Sequence, residues 1–262
     1  AVEGRVTVPT SKEPAKIAGM FDAIARHYDT LNHLLSAGLD RRWRARAVAS
    51  LGLTGRERLL DMCTGTADLA LAAVEGPAGQ ARQVVGIDFS AGMLALGQGK
   101  VRKAGLASRI HLVRGDATAM PLPDQSFDAA TVAFGIRNVV DAEMACREFH
   151  RVLRPNARFA VLEFGSPPLA WLRALYFWYF KRVLPRIGRL VSRHGEAYSY
   201  LPASVIEFPT GAAFEAILRR SGFTSVTYRT FSCGVVYLYL ATRGAESPVV
   251  PEASTHFPRS GV

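Results

Sequence analysis

Residues 58–90 read RLLDMCTGTADLALAAVEGPAGQARQVVGIDFS. Two short apolar runs, Leu59–Met62 and Val84–Ile87, have the length and composition of buried strands. Each has a carboxylate at or near its end, Asp61 in the first and Asp88 after the second. Between them, Thr64-Gly65-Thr66 predicts a tight turn into an apolar-periodic helix, Leu69–Val74. Such a strand–turn–helix–strand unit closes by a right-handed crossover and makes the strands parallel. A ligand then sits at the carboxyl ends of the strands, against the turn.

The chemistry of that turn narrows the ligand. Asp88 is suited to accept hydrogen bonds from a ribose diol, and Gly65 lets backbone approach the ligand. Dinucleotide enzymes share the layout but use G-x-G-x-x-G after the first strand. Here the turn is Cys63-Thr64-Gly65-Thr66-Ala67-Asp68, with one glycine in place of three. A carboxylate near the end of strand one suits a cation better than a pyrophosphate. S-adenosylmethionine, a sulfonium with a ribose and no phosphate, meets those conditions. The bland alternative is a buried α/β unit with a solvated Asp88.

Working outward, an i, i+3, i+4 apolar pattern from Lys16 (Ile17, Met20, Phe21, Ile24, Tyr28, Leu31) predicts a helix stopped by Gly38. Asp40 is expected to cap a second helix through Trp43 and Val48. This pair precedes the first strand and is placed to form a lid. Ser90 caps the next predicted helix. Ile110–Val113 and Phe127–Phe134 read as strands three and four, with a proline-rich loop between them. Asp141 caps a helix through Leu153, which Arg154-Pro155-Asn156 is expected to end before strand five, Arg158–Phe164. Residues 166–200 break the rhythm with an aromatic and basic stretch, read as a helical insertion. A helix over Phe214–Arg220 and a hairpin, Ser225–Ser232 with Val235–Thr242, complete an α/β fold. Its sheet is mostly parallel with an antiparallel last strand. Residues 1–15 and 243–262 read as flexible ends around one domain, 16–242.

Composition sets outer bounds. With 262 residues and 49% hydrophobic content the chain can bury a sizeable core. The net charge of +10 favours anionic partners such as nucleic acid, acidic lipid or phosphorylated substrates, or serves solubility alone. Cys63, Cys146 and Cys233 are too few and too scattered for a disulfide framework or a zinc site, which fits a reducing compartment. The first residues hold no apolar core of a secretory signal, and no apolar run reaches membrane-spanning length.

Further motifs stand in order along the chain: FDAIARHYDTLN (21–32), GDATAMPLPDQSFD, FGIRNV, REFHRVLRP, VLEFGSP, LPRIGRLV and Tyr200-Leu201-Pro202-Ala203-Ser204. Together with the opening stretch they closely resemble the UbiE/MenG/Coq5 family of S-adenosylmethionine-dependent C-methyltransferases, over roughly residues 16–242. The donor-binding motifs are generic to class I methyltransferases, whereas FGIRNV with LPRIGRLV is much more specific. The resemblance implies a Rossmann-like class I fold and methylation of the ring of a prenylated quinol, a ubiquinone or menaquinone precursor. It implies donor contacts at Thr66, Asp88, Asp116 and Ala117, with Asp61 and Gly65 shaping the pocket and no metal. Asp116 can accept from an adenine amino group, and the Ala117 N–H can reach the ring. Two departures stand out: Ala67 replaces the family's second turn glycine, and Ala133 stands where some relatives have serine. If position 67 needs positive φ, alanine there is strained by about a kilocalorie per mole.

Methylating an aromatic carbon needs electron density from an ionised neighbouring phenol. Arg137 cannot serve as the base because its pKa is too high, but it can stabilise the phenolate or orient a water. Asn138 can hydrogen-bond a ring oxygen, and Tyr28 can close over the ring. The resemblance favours these three as substrate-site residues; strand-end hydrogen bonding or core packing is the plain alternative. His27 and His33 lie on the same helix and read as surface residues. Phe177, Trp178, Phe180 and Val183 are placed to line an isoprenoid path. Arg173, Lys181, Arg182, Arg186 and Arg189 surround them, a composition that suits peripheral contact with a membrane surface. A cytoplasmic location follows, at the inner face of the membrane, or an organellar one if a transit peptide has been removed. A homodimer is compatible, and nucleic acid is not an expected partner. The competing readings are a methyltransferase for another phenolic or polyketide-like acceptor, an NAD-dependent oxidoreductase lacking its glycines, and a non-catalytic scaffold.

Overall fold

Strand β1 (Arg58–Met62) is an inner strand of a seven-stranded sheet, in a computed structural model that describes residues 14–76, 80–179, 182 and 195–245. It pairs in parallel with β2 (Gln83–Asp88) on one side and β4 (Phe127–Ala133) on the other. β3 (Ile110–Arg114) continues beyond β2, and β5 (Leu153–Phe164) beyond β4. The chain therefore reverses its direction of travel at β1, which opens a crevice at the carboxyl ends of β1, β2 and β4. The last strand, β7 (Val236–Arg243), runs antiparallel between β5 and β6 (Phe223–Phe231). The full order is β3-β2-β1-β4-β5-β7-β6.

The alternation of side chains along β1 divides the core in two. Leu59 packs with Trp43 and Val48 of α2 (Leu39–Leu51) and Leu69 of α3 (Asp68–Glu75). Leu60 faces the other way, into a cluster with Phe149 of α5 (Ala142–Val152). Phe159, Tyr239 and Phe214, a residue of α8 (Ala212–Arg220), belong to the same cluster. Both leucines are fully buried, so truncating either to alanine costs about 2–5 kcal/mol. The remaining α-helices among the described residues are α1 (Pro14–Leu35), α4 (Ala91–Lys103), α6 (Ala170–Trp178) and α7 (Gly195–Glu207).

Three expectations need correction. Asp40 does not cap α2; the helix starts at Leu39, with Gly38 in the cap position. The Asp40 carboxylate is instead buried, bound by Arg44 one turn on and by the Ser36 hydroxyl at 2.9 Å. Residues 154–156 do not separate helix from strand. Pairing begins at Phe127–Leu153, and the chain bulges through Asn156 (φ +65°) before resuming at Ala129–Arg158, so the proline and asparagine ride within β5. Arg243 closes β7 rather than opening a tail, and its guanidinium donates to the carbonyls of His150 at 2.9 Å and Arg151 at 3.1 Å. Phe180, Lys181, Val183, Arg186 and Arg189 lie outside the described residues, as do residues 1–13 and 246–262.

Candidate active site

The turn after β1 is built from left-handed backbone. Cys63 (φ +54°), Gly65 (φ +56°) and Ala67 (φ +67°) reverse the chain so that α3 starts directly over the strand ends. A Cβ added at Gly65 would meet nothing within 4 Å, so no protein group fills the space beside it. Ala67 does carry the positive φ anticipated for it, with its methyl fully buried.

Asp61 lies beneath the turn rather than in the crevice. It accepts the hydroxyls of Thr64 at 2.6 Å and Thr131 at 2.8 Å, tying the turn to β4. Complete burial pushes its carboxyl up to about 6, against the pull of those hydroxyls and of Arg44. Asp88 faces the turn from β2. Its two oxygens accept the N–H groups of Gly65 and Ser90, each at 2.9 Å. Burial raises its pKa, while the N–H groups of Ser90 and Gly65 oppose the shift. Each carboxylate oxygen has a second lone pair, so both retain acceptor capacity for a ligand.

Two cavities meet at Cys63, Asp88, Phe89 and Asn138. One extends over Gly115–Thr118 toward Val139 and Val140. The other runs between Gly65, Met93 and Phe134 to Phe21 of α1. Asp116 and Ala117 thus border the first cavity and Gly65 the second, with Asp88 common to both. The Asp116 carboxylate also receives the N–H and hydroxyl of Thr118 at 2.8 and 2.9 Å, so it forms a local turn as well as a cavity wall.

Thr66 is engaged elsewhere. Its hydroxyl donates to Asp29 of α1 at 2.6 Å and receives Lys100 Nζ of α4 at 2.9 Å. Lys100 also pairs with Asp29 and Asp68, while Asp22 of α1 accepts the Ser90 hydroxyl and the Gly92 N–H. Helix α1 is therefore fastened to the turn and to the start of α4, where Phe21 covers one cavity. Tyr28 and His27 lie in the span of α1, but their side chains are outside the described residues.

Arg137 and Asn138 occupy a single 3-10 turn after β4 and are both buried. The Arg137 guanidinium binds Glu163 at 2.7 Å and the Phe134 carbonyl at 2.6 Å, and its Nε reaches Ser204 of α7 at 3.3 Å. Glu163, at the end of β5, is completely buried and also takes the Phe164 N–H at 2.8 Å. Asn138 Oδ1 is buried, has no hydrogen-bond partner among the described residues, and belongs to a residue that borders both cavities. Orphaned acceptors of this kind are rare in folded proteins, and each calls for a partner such as a water, an ion or a ligand.

Sequence reading assigned no role to Glu163 or Lys100. Glu163 had a signal: a carboxylate inside the apolar run VLEF requires a buried cation. Lys100 had none, because its partners Asp29, Thr66 and Asp68 come together only through the tertiary fold. Among the described residues no cluster of ligating side chains is placed to hold a metal ion.

The sequence matches the ubiE/COQ5 methyltransferase family over residues 9–243. It is 44% identical to a ubiquinone/menaquinone biosynthesis C-methyltransferase UbiE of Citrifermentans bemidjiense, over 89% of this chain and 98% of that one. A demethylmenaquinone methyltransferase of Bacteroides fragilis is 39% identical, over 88% and 94% of the two chains. Among solved structures, the [4+2]-cyclase SpnF superposes with a TM-score of 0.65 and 19% identity, covering 91% of this chain and 97% of that one, which establishes a shared fold.

Proposed function

The chain belongs to the ubiE/COQ5 methyltransferase family, and on that premise we propose that it methylates a ring carbon of a prenylated quinol with S-adenosylmethionine as donor. When bound, the donor supplies an electrophilic methyl group and departs as a neutral thioether. The residues present suit it. Asp88 accepts the ribose hydroxyls through its remaining lone pairs, Asp116 and Ala117 meet the adenine, and the open side of Gly65 admits the amino-acid end. Asp61, Thr66 and the strained Ala67 shape and hold the turn.

The observation that carries the acceptor side is Asn138 Oδ1, buried and unsatisfied at the junction of the two cavities. A hydroquinone hydroxyl satisfies it. The adjacent Arg137 stays protonated at any accessible pH and favours the quinolate, which concentrates electron density on the ortho carbon. The hydroxyl held by Asn138 keeps its proton; the proton of the ring's other hydroxyl leaves to water, the carbon ortho to that oxygen takes the methyl group, and the displaced ring hydrogen also leaves to water as the ring regains aromaticity. Positioning supplies much of the remaining acceleration. Tyr28 on α1 is assigned to cover the ring.

The prenyl tail calls for an apolar approach. Trp171, Leu175 and Trp178 of α6 are 68%, 52% and 57% exposed and fall at i, i+4 and i+7, one stripe of the helix. Arg173 and Arg182 are also exposed. This stripe suits contact with an acidic lipid surface. No helix among the described residues is long and apolar enough to cross a membrane.

The test is direct. The protein is incubated with methyl-labelled donor and, separately, a demethylnaphthoquinol and a demethylbenzoquinol bearing short prenyl tails. Label on a ring carbon of either product supports the reading. Label on oxygen, or on neither quinol, refutes it.

A further inference from the structure

One buried polar atom near Arg137 has no role in the scheme above. Tyr200 stands on α7, which packs against the turn carrying Arg137 and Asn138. Its hydroxyl oxygen is buried and has no hydrogen-bond partner among the described residues. Ser204 lies one turn further along α7 and receives Arg137 Nε, so Tyr200 and Ser204 share the helix face that meets Arg137. Glu163 engages Arg137 and the Phe164 N–H, and neither of its oxygens makes a hydrogen bond to the Tyr200 hydroxyl. Two packed elements in this neighbourhood thus each present an orphaned atom. Asn138 Oδ1 is an acceptor, and the Tyr200 hydroxyl is both donor and acceptor. A hydroquinone carries two oxygens on opposite sides of its ring, so holding it by both requires two separate polar groups.

We infer that the Tyr200 hydroxyl is the second anchor of the acceptor ring, donating to one quinol oxygen while Asn138 engages the other. The inference rests on the quinol-methylating reading above. Burial raises the phenol's pKa and Arg137 lowers it, with burial the larger influence, so Tyr200 remains a neutral donor. A neutral donor suits an oxygen that gains negative charge, since it shares that charge without surrendering its proton. Tyr200 is on this view a specificity-determining residue: an acceptor without an oxygen at that position leaves the hydroxyl buried and unsatisfied.

Tyr200→Phe removes only the oxygen, which gives the experiment its sign. If the hydroxyl has no ligand, deleting an unsatisfied buried group leaves stability equal or improved and catalysis unchanged. If it anchors the ring, stability is again equal or improved, donor affinity is unchanged, and KM for the quinol rises at least tenfold with a smaller change in kcat. An unchanged KM, or a loss of activity that merely follows a loss of stability, overturns the inference. A second measurement does not depend on turnover. Enzyme loaded with S-adenosylhomocysteine is titrated calorimetrically with a short-tailed demethylnaphthoquinol, and Tyr200→Phe is expected to bind at least tenfold more weakly than the unaltered protein. Equal affinities overturn the role of Tyr200 even if methyl transfer is intact. Binding without methyl transfer refutes the proposed reaction and leaves the affinity ratio to decide Tyr200. No binding by the unaltered protein overturns both.

Discussion

Replacing Arg137 by methionine while also replacing Glu163 by glutamine separates the catalytic and structural roles of the arginine. Arg137 is 5% exposed and Glu163 fully buried, with 2.7 Å between nitrogen and oxygen. Removing either partner alone strands a charge in the interior and costs about 3–5 kcal/mol. Arg137→Met is therefore expected to lose activity partly by unfolding, and its turnover alone says little about chemistry. Removing both charges leaves no stranded ion, and glutamine still offers an oxygen to the Phe164 N–H. The double variant is expected within about 1 kcal/mol of the starting stability, as buried pairs replaced by neutral groups often are. Its turnover is another matter. Stabilising the ring oxygen is worth about 3 kcal/mol, or roughly a hundredfold in rate, and that loss persists in the double variant. Its rate should also climb more steeply with pH, because hydroxide then makes the quinolate that the site no longer favours. Urea unfolding gives the stabilities, calorimetry the donor affinity, and single-turnover mixing across pH the rates. A double variant that regains turnover along with stability would show that Arg137 only holds the fold together, and the reasoning would fall.

Asp88→Ala should weaken S-adenosylmethionine binding at least tenfold, since buried hydroxyls that lose a carboxylate acceptor cost about 1–3 kcal/mol; unchanged calorimetric affinity in a folded variant removes Asp88 from the site. Asp61, pushed up to about 6 from an ordinary 3.8, keeps a proton in the folded state that the unfolded chain has released. Its contribution to stability therefore falls as pH rises between those values and is level above them, by about 3 kcal/mol in all. Asp61→Asn should flatten that stretch of the urea-midpoint profile, and a slope identical to that of the unaltered protein assigns it to other groups. Gly97→Ala would bring a Cβ within 2.9 Å of Leu112 Cδ1, 3.2 Å of the Thr66 carbonyl carbon and 3.3 Å of Ala67 Cβ. It should cost about 1–3 kcal/mol and loosen donor binding. Gly99→Ala on the same helix meets nothing within 4 Å and should be neutral or stabilising; equal melting temperatures for the two variants contradict the packing argument.

The parallel half of the fold was readable because its information is local. Leu59–Met62 and Val84–Ile87 are too short and too apolar to be anything but buried strands, and Ser90 and Asp141 cap the helices that their positions suggest. Asp40 misled because a side chain at a helix start has two uses. Its choice of Arg44 over a backbone N–H depends on burial, which sequence does not display. Arg154-Pro155-Asn156 misled because a bulge and a loop share the same residues. In the candidate site, Asp88, Gly65 and Asn138 border one cavity. The pairing of Arg137 with Glu163, the fastening of α1 through Lys100 and the stranded hydroxyl of Tyr200 arise between distant segments and leave no local pattern.

The position of β7 bears on how the chain is made. β5 and β6 do not touch each other as neighbours; the strand between them is the last of the described sheet to be synthesised. Emerging from a ribosome, the five parallel strands can assemble while β5 still presents an unpaired apolar edge, and β6 waits without a partner. Both are completed in one step when residues 236–243 arrive. Until then the nascent protein carries an open edge of the kind that recruits other chains. A frameshift or stop within that single strand would undo two pairings at once. Losing an outer strand of the same length would undo one.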